Sequence, residues 1–234
     1  MLIRFFLWLE YKGNLQIKTD GSCAVSIASR KGAKTQRSMR KIIVYIATSA
    51  DGFIARKDGA VDWLDRPQTA GDYGMGKFYK SIDTILWGRK TYDMMLRFQK
   101  EGKRGPDMGG IKNYAFSRRP PRKTAPGFEF VKEPIKKFAQ RLRSQKGKDI
   151  RMMGGAGLIA SFLDVGEIDD FIIHVIPTFI GEGIPLVAPR HRNVPLKSIS
   201  IKKFSDSVVR LHYEVIRDRA KKSSPRKASR KKVR

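Results

Sequence analysis

Ile42-Ile43-Val44-Tyr45-Ile46-Ala47 is an unbroken apolar run with no polar alternation. A strand of that kind has no face to offer water. It must be buried on both sides, as the central strands of a largely parallel sheet are. Further strand-like runs lie at 84–87, 113–116, 128–131, 149–153 and 171–176. Between them, 77–82, 89–96, 134–145 and 158–163 have a helical pattern, and 65–76 and 100–110 read as loops. Pro120-Pro121 forbids continuation of the third strand. Pro134 suits the first turn of a helix, and Gly166 closes the 158–163 helix in a left-handed conformation. Near the end, Leu211, Tyr213 and Val215 alternate with Arg210, His212 and Glu214. With residues 196–204 this predicts an antiparallel pair that turns one side to the core. The order predicts an α/β fold: a mixed, mostly parallel sheet flanked by helices, with antiparallel strands at its C-terminal end. No internal repeat is visible.

Charge marks where the packed part begins and ends. The net charge is +27 over 234 residues, but residues 1–40 carry eight basic residues against two acids, and 217–234 carry ten against one. The chain therefore reads as a weakly ordered basic extension over 1–38, one domain over 39–216, and a basic tail over 217–234. Met39, directly before the first strand, suggests a start of the natural protein there, with a targeting arm over 1–38 as the competing reading. Such tails attract polyanions through counterion release, which fits nucleic acid or an acidic surface. The plainer reading is a solvated tail. Cys23 is the lone cysteine, so no intrachain disulfide forms, and a reducing, cytoplasmic setting is expected. The apolar stretch 2–9 contains Arg4 and is far short of a membrane span. No metal-ligand spacing is present.

The chemistry sits in glycine turns. In Arg151-Met152-Met153-Gly154-Gly155-Ala156-Gly157-Leu158-Ile159 a strand ends, glycines turn the chain, and a helix starts. Glycine allows tight dihedrals and close approach of an anion. The helix start supplies unpaired N–H groups and partial positive charge, so the junction suits a pyrophosphate. The bland alternative is a tight strand–helix connection. The stretch 155–160 also fits the Rossmann pattern, but the following strand ends in Pro177-Thr178, with no acid placed for a ribose hydroxyl. Trp87-Gly88-Arg89-Lys90-Thr91 repeats the design, with Arg89 suited to phosphate and Thr91 able to donate a hydroxyl hydrogen bond. Ser117-Arg118-Arg119 follows the third strand. Singly, each reads best as solvated surface charge. Together they put phosphate-suited groups at three strand ends.

These residues resemble a known family. Ile46-Ala47-Thr48-Ser49-Ala50-Asp51-Gly52-Phe53-Ile54-Ala55 is similar to the first strand and loop of dihydrofolate-reductase-like proteins. The similarity is to the branch holding the reductase domain of bacterial riboflavin-biosynthesis deaminase-reductases. Trp87 to Tyr92 resembles that family's second cofactor loop, and Phe116-Ser117-Arg118 its 2′-phosphate site. Met153 to Leu158 resembles its diglycine turn, and Phe179 to Leu186 a late-strand signature. The resemblance implies NADPH as hydride donor. It implies that Gly88, Arg89, Lys90 and Thr91 hold phosphates and that Ser117 and Arg118 read the 2′-phosphate. Gly154, Gly155, Ala156, Gly157 and Leu158 would cradle the pyrophosphate, with Ala47 and Ile54 near the nicotinamide. Asp72 is the nearest counterpart of the family's pterin-supporting carboxylate, and Asp51 is an acid in the first loop whose Asp-Gly context also suits a turn. Ile173 takes the place of an expected pocket threonine, and His174 reads as a core histidine.

Two classes of function follow. One is an NADPH-dependent oxidoreductase acting on a small pterin- or pyrimidine-like heterocycle in the cytoplasm, with a homodimer as the expected assembly. The other is a non-enzymatic nucleotide- or polyanion-binding protein on the same fold. No deaminase motif of the H-x-E with P-C-x-x-C type is present, so a riboflavin role requires a separate deaminase.

Overall fold

The computed structural model describes residues 39–66, 71–101 and 110–217. The chain opens with β1 (Ile42–Ser49), turns through β2 (Phe53–Ala55) and a 3-10 turn (Asp62–Leu64), and forms α1 (Met75–Lys80). Three strand–helix passages follow. They are β3 (Ile82–Gly88) with α2 (Arg89–Lys100), then β4 (Lys112–Phe116) and β5 (Phe128–Val131) with α3 (Ile135–Ser144), then β6 (Asp149–Gly154) with α4 (Ala156–Asp164). The described chain closes with β7 (Asp170–Ile176), β8 (Ile184–Pro185), β9 (Leu196–Lys203) and β10 (Val209–Val215).

Eight strands form one sheet in the order β5-β4-β3-β6-β1-β7-β10-β9, and β2 and β8 pair separately. Contacts from β5 through β7 are parallel, while β10 runs antiparallel to both β7 and β9. This is the expected mixed sheet. β1 is buried along its whole length. Its Ile42, Val44 and Ile46 pack with Phe138 and Leu142 of α3 and Ile159 and Phe162 of α4. Ile43 and Tyr45, one residue out of phase, pack on the other face with Met75 and Phe78 of α1 and Tyr92 and Met95 of α2. Tyr45 stacks on Phe78 with ring centroids 4.2 Å apart. Two helical layers thus explain why β1 needs no polar face.

The N-terminal ends of the strands are stapled by buried charge. Arg143 of α3 bonds Glu167 at 3.1 Å, Asp169 at 2.7 Å and the Arg40 carbonyl at 3.0 Å. Arg40 pairs with Asp83 and donates to Thr84 Oγ1 at 2.8 Å. Every charge there has partners, as burial requires. The opposite, C-terminal ends of the six parallel strands remain for chemistry, the usual place in open α/β sheets.

Several boundaries differ from the sequence reading. The helix expected from 158 starts at Ala156, directly after Gly155. The loop expected over 65–76 gives way to α1 at Met75, and α2 runs to Lys100. The tiny β2–β8 pair was not foreseen, because two and three residues carry no periodic signal. Leu211, Tyr213 and Val215 of β10 do pack against the core, but all eight residues of β9 are exposed, so β9 turns no side to the core. It lies beyond the last helix-covered strand. Among the described residues no helix is long and apolar enough to cross a membrane. The basic extension and most of the tail lie outside the described residues.

Candidate cofactor and substrate site

The sheet order places β4, β3, β6 and β1 side by side, so their C-terminal ends Phe116, Gly88, Gly154 and Ser49 line one edge. At ~4.8 Å per strand, the outermost two stand ~14 Å apart. The three phosphate-suited segments, scattered over 70 residues of chain, are thereby brought to one ledge.

The two glycine turns touch. A β-carbon placed on Gly88 would stand 3.0 Å from both Gly154 O and Gly155 N, so these strand ends approach as only glycine permits. Gly154 has φ +96°, in the left-handed region, and the Gly154–Gly155 peptide is cis. Gly88 and Gly155 are the N-caps of α2 and α4, and neither helix has a side-chain cap. Thr91 is buried in the first turn of α2, with its Oγ1 3.3 Å from where a β-carbon on Gly155 would lie. Leu158 and Ile159 give their N–H groups to the Gly155 carbonyl at 3.0 and 3.1 Å, so Leu158's N–H is already bonded within the turn. Ala156 is buried. Gly157 is different: it is exposed, and a β-carbon there would meet no heavy atom within 4 Å. The protein's own packing gives Gly157 no reason to lack a side chain. A ligand closing on the first turn of α4 would give one.

The basic groups are placed unequally. Arg89 Nε lies 2.9 and 2.8 Å from the two Asp93 carboxylate oxygens, and its Nη1 donates to the Arg119 carbonyl at 2.7 Å. It therefore ties α2 to the loop after β4, and its charge is already countered. Arg118 and Lys90 are exposed. Ser117 Oγ accepts the Arg119 N–H at 3.1 Å, which shapes the loop beside Arg118.

Ala47 and Ile54 are both buried, in different places. Ile54 packs into the core under α3 and α4. Ala47 belongs to an apolar wall with Trp63, Tyr73, Ile176, Phe204 and Val208. That wall comes from four separate segments, and no pattern in the sequence announces it. Trp63 of the 3-10 turn belongs to no sequence motif, and its buried indole N–H has no hydrogen-bond partner among the described residues.

The register corrects one expectation. Ile46 pairs with Ile173 and Ala47 with His174 across β1 and β7. Ile173 thus points into the α3/α4 core, and the residue beside Ala47 is His174. An alternation of two leaves no other choice. His174 is buried beneath Tyr45 and Tyr73, and burial, aided by the positive charges of Arg210 and Arg151 and opposed by hydrogen bonding to the Tyr73 and Ile46 backbone, lowers its pKa to about 4.

Both candidate carboxylates are engaged with backbone. Asp51 accepts the N–H groups of Ile180 (3.1 Å) and Gly181 (2.8 Å). Hydrogen bonding from Ser49 and from these two amides holds its carboxyl below the usual carboxylate range. Asp72 accepts the Gly74 and Gly76 N–H groups at 2.8 and 2.9 Å, at the entry to α1. Among the described residues no three His, Cys, Asp or Glu side chains are grouped to hold a metal ion.

Comparison with known proteins agrees with this geometry. Residues 119–210 match the RibD C-terminal domain family. The uncharacterized protein YwjB of Bacillus subtilis (strain 168) is 36% identical over 178 residues, covering 74% of this chain and 97% of YwjB. Among solved structures, a putative riboflavin biosynthesis protein from Shewanella sp. PV-4 superposes with a TM-score of 0.65 at 26% identity, covering 76% of this chain and 99% of that one. Dihydrofolate reductase from Enterococcus faecalis, complexed with NADP(H), shares the fold at a TM-score of 0.52 and 14% identity, over 76% of this chain and 97% of that one. The chain belongs to the RibD C-terminal domain family, on a dihydrofolate-reductase-like fold.

Proposed function

We propose that the protein is an NADPH-dependent reductase that transfers a hydride to a small pyrimidine- or pterin-like heterocycle in the cytoplasm. The observation that carries this reading is Gly157, a helical glycine with open space above it. It lies beside two uncapped helix starts that meet at Gly88 and Gly154-Gly155. When bound, NADPH supplies the hydride. The chain supplies the rest: first-turn N–H groups of α2 and α4 for the phosphates, Thr91 beside the diglycine turn, and Ser117 with Arg118 for the 2′-phosphate. Arg89 acts mainly by holding the Arg119 loop in place. Ala47, near the C-terminal end of β1 and backed by the buried apolar cluster of Trp63, Tyr73, Ile176, Phe204 and Val208, would lie near the nicotinamide. Asp51 and Asp72 hold backbone turns through the N–H groups of those turns and are the chain's candidate carboxylates for proton supply.

The test is NADPH oxidation followed spectroscopically against a panel of pterins and pyrimidine precursors, with calorimetry for both cofactors. NADPH should bind more tightly than NADH, and Arg118→Ala should remove most of the difference. Loss of one charge-assisted contact is worth roughly 1.5–3 kcal/mol, or about a tenfold to hundredfold change in Kd. Equal affinity of the wild type for both cofactors would refute the 2′-phosphate assignment. Tight NADPH binding with no turnover on any panel member would favour a non-catalytic nucleotide-binding protein.

A further inference from the structure

The fold accounts for the segment from Phe179 to Leu186 almost residue by residue. Ile180 and Ile184 pack against the buried cluster around Ala47, and Leu186 packs against the α3/α4 core. Gly181 has φ +77°, in the left-handed region. A β-carbon on Gly183 would collide with the Ala55 carbonyl oxygen, so only glycine lets β8 lie against β2. Glu182 pairs with Lys57. Phe179 serves none of these ends: it is 79% exposed. Its backbone is nevertheless fixed on both sides. The Thr178 carbonyl accepts the Ala50 N–H at 2.8 Å, and Asp51 accepts the Ile180 and Gly181 N–H groups. Ala50 and Asp51 directly follow β1, and Phe179 stands three residues beyond Ile176, which pairs with Ser49. At ~3.3 Å per residue, its backbone lies no more than ~10 Å from the end of β1. The other exposed large apolar side chains, Met39, Leu196, Ile199, Ile201 and Ile216, lie on β9 or at the opposite end of the strands. Among the described residues, Phe179 is alone at the C-terminal end, beside the cofactor ledge.

We propose that Phe179 is a specificity-determining residue of the reductase site, stacking on the face of the substrate ring turned away from the nicotinamide. The inference rests on the reductase reading and adds to it a demand on the substrate: a planar, conjugated ring. Area selects the occupant. A covered phenyl ring buries about 150–250 Å², whereas a protein interface takes about 800 Å² from each partner. The residues flanking Phe179 are Pro177, Thr178, Gly181 and Glu182, which add no large apolar surface. A single exposed ring on a fixed backbone therefore matches one small flat molecule. Phenylalanine brings a π face and no polar atom, so it reads flatness and leaves the substituents of the ring unread. Because the loop is already tied to Ala50 and Asp51, little ordering is left to be done when the ligand arrives.

The test is titration of lumazine, a planar bicyclic heterocycle, into the full chain saturated with NADP+, followed by fluorescence quenching and by calorimetry. Phe179→Ala should weaken lumazine binding roughly fivefold to hundredfold, the usual worth of one ring stacked on an aromatic side chain. Phe179→Trp should keep the wild-type affinity within a few-fold. Phe179→Leu, apolar but without a flat π face, should fall between. All three should bind NADP+ like the wild type and melt at the same temperature, since the side chain packs on nothing. Ile201→Ala removes a similarly exposed apolar side chain from β9 and should leave lumazine binding unchanged. A Phe179→Ala protein that binds lumazine like the wild type overturns the proposal. So does Phe179→Leu equal to Phe179→Trp, which would reduce the effect to apolar area. A wild type that binds NADP+ but no lumazine overturns it as well and leaves the cofactor reading standing. A wild type that binds no NADP+ overturns the reductase reading and this inference together.

Discussion

Gly157→Ala separates a glycine kept for a ligand from one kept for the fold. Gly157 is the second residue of α4, its φ is not in the left-handed region, and an added β-carbon would meet nothing within 4 Å. The fold can accept a methyl there without strain. Glycine within a helix costs up to about 1 kcal/mol relative to alanine, through the extra backbone freedom lost on folding. At an exposed first-turn position, a gain of about 0.5 kcal/mol is the reasonable expectation, or ~1–2 °C in Tm. The same methyl would occupy the space that a pyrophosphate needs above the first turn of α4. It would push the anion away from at least one N–H donor, a loss of about 1.5–3 kcal/mol for a charge-assisted hydrogen bond. NADPH should therefore bind roughly tenfold to hundredfold more weakly to a protein that melts no earlier than the wild type. Isothermal titration and a thermal melt on the same preparation measure both. A Gly157→Ala protein with wild-type NADPH affinity would refute the placement of the pyrophosphate. Gly88→Ala cannot do this work. Its β-carbon would press on backbone atoms of Gly154 and Gly155 at 3.0 Å, so stability and binding would change together.

His174 titrates near pH 4 in the folded protein because burial disfavours its charged form. Free histidine titrates near 6.5, so as pH falls from about 6.5 to 4 the unfolded chain takes up a proton that the folded chain refuses. Stability is lost over that window, by about 3 kcal/mol in all. Urea titrations at several pH values should show a shallower decline for His174→Asn, and equal slopes for the two proteins would sink the idea. Asp51→Asn should lower the melting temperature, since an amide is a poorer acceptor for the Ile180 and Gly181 N–H groups. It should leave kcat within a few-fold of the wild type, because those bonds position a turn; a collapse of kcat with KM and Tm unchanged would instead mark Asp51 as the proton donor.

Arg89 shows how tertiary context gives a residue partners that local sequence does not reveal. Next to Gly88 at a helix start, an arginine reads as a phosphate ligand. In the folded chain its guanidinium spans Asp93, one turn along the same helix, and the Arg119 carbonyl, 30 residues away. The pairing with Asp93 is at i,i+4 spacing and was open to notice. The Arg119 contact was not, because it depends on β3 and β4 lying side by side. Asp72 behaves similarly: an acid ahead of a helix is as good a helix-entry acceptor as a catalytic group, and in the folded chain it accepts two backbone N–H groups at the entry to α1.

The local chain determined a good deal by itself. Ile42 to Ala47 demanded cover on both faces, and two helical layers provide it. Glycines at 88, 154 and 155 marked strand ends where backbone must come close, and the alternation from Arg210 to Val215 marked an antiparallel strand. These signals are local because dihedral preference and side-chain periodicity act over a few residues. Tertiary structure alone decided the rest. Contact between Gly88 and the diglycine turn exists only because β3 and β6, separated by 60 residues, became neighbours. The aromatic wall around Ala47 draws on residues from Trp63 to Val208, and no sequence period can link positions so far apart. Ile173 faces the α3/α4 core and not Ala47, while His174 is the buried histidine its apolar strand predicts, because register with β1, not composition, sets which face a side chain takes. β9 ended up bare for another reason. Its residues look like those of a half-buried strand, and burial was settled by its position at the sheet edge, beyond the reach of any helix.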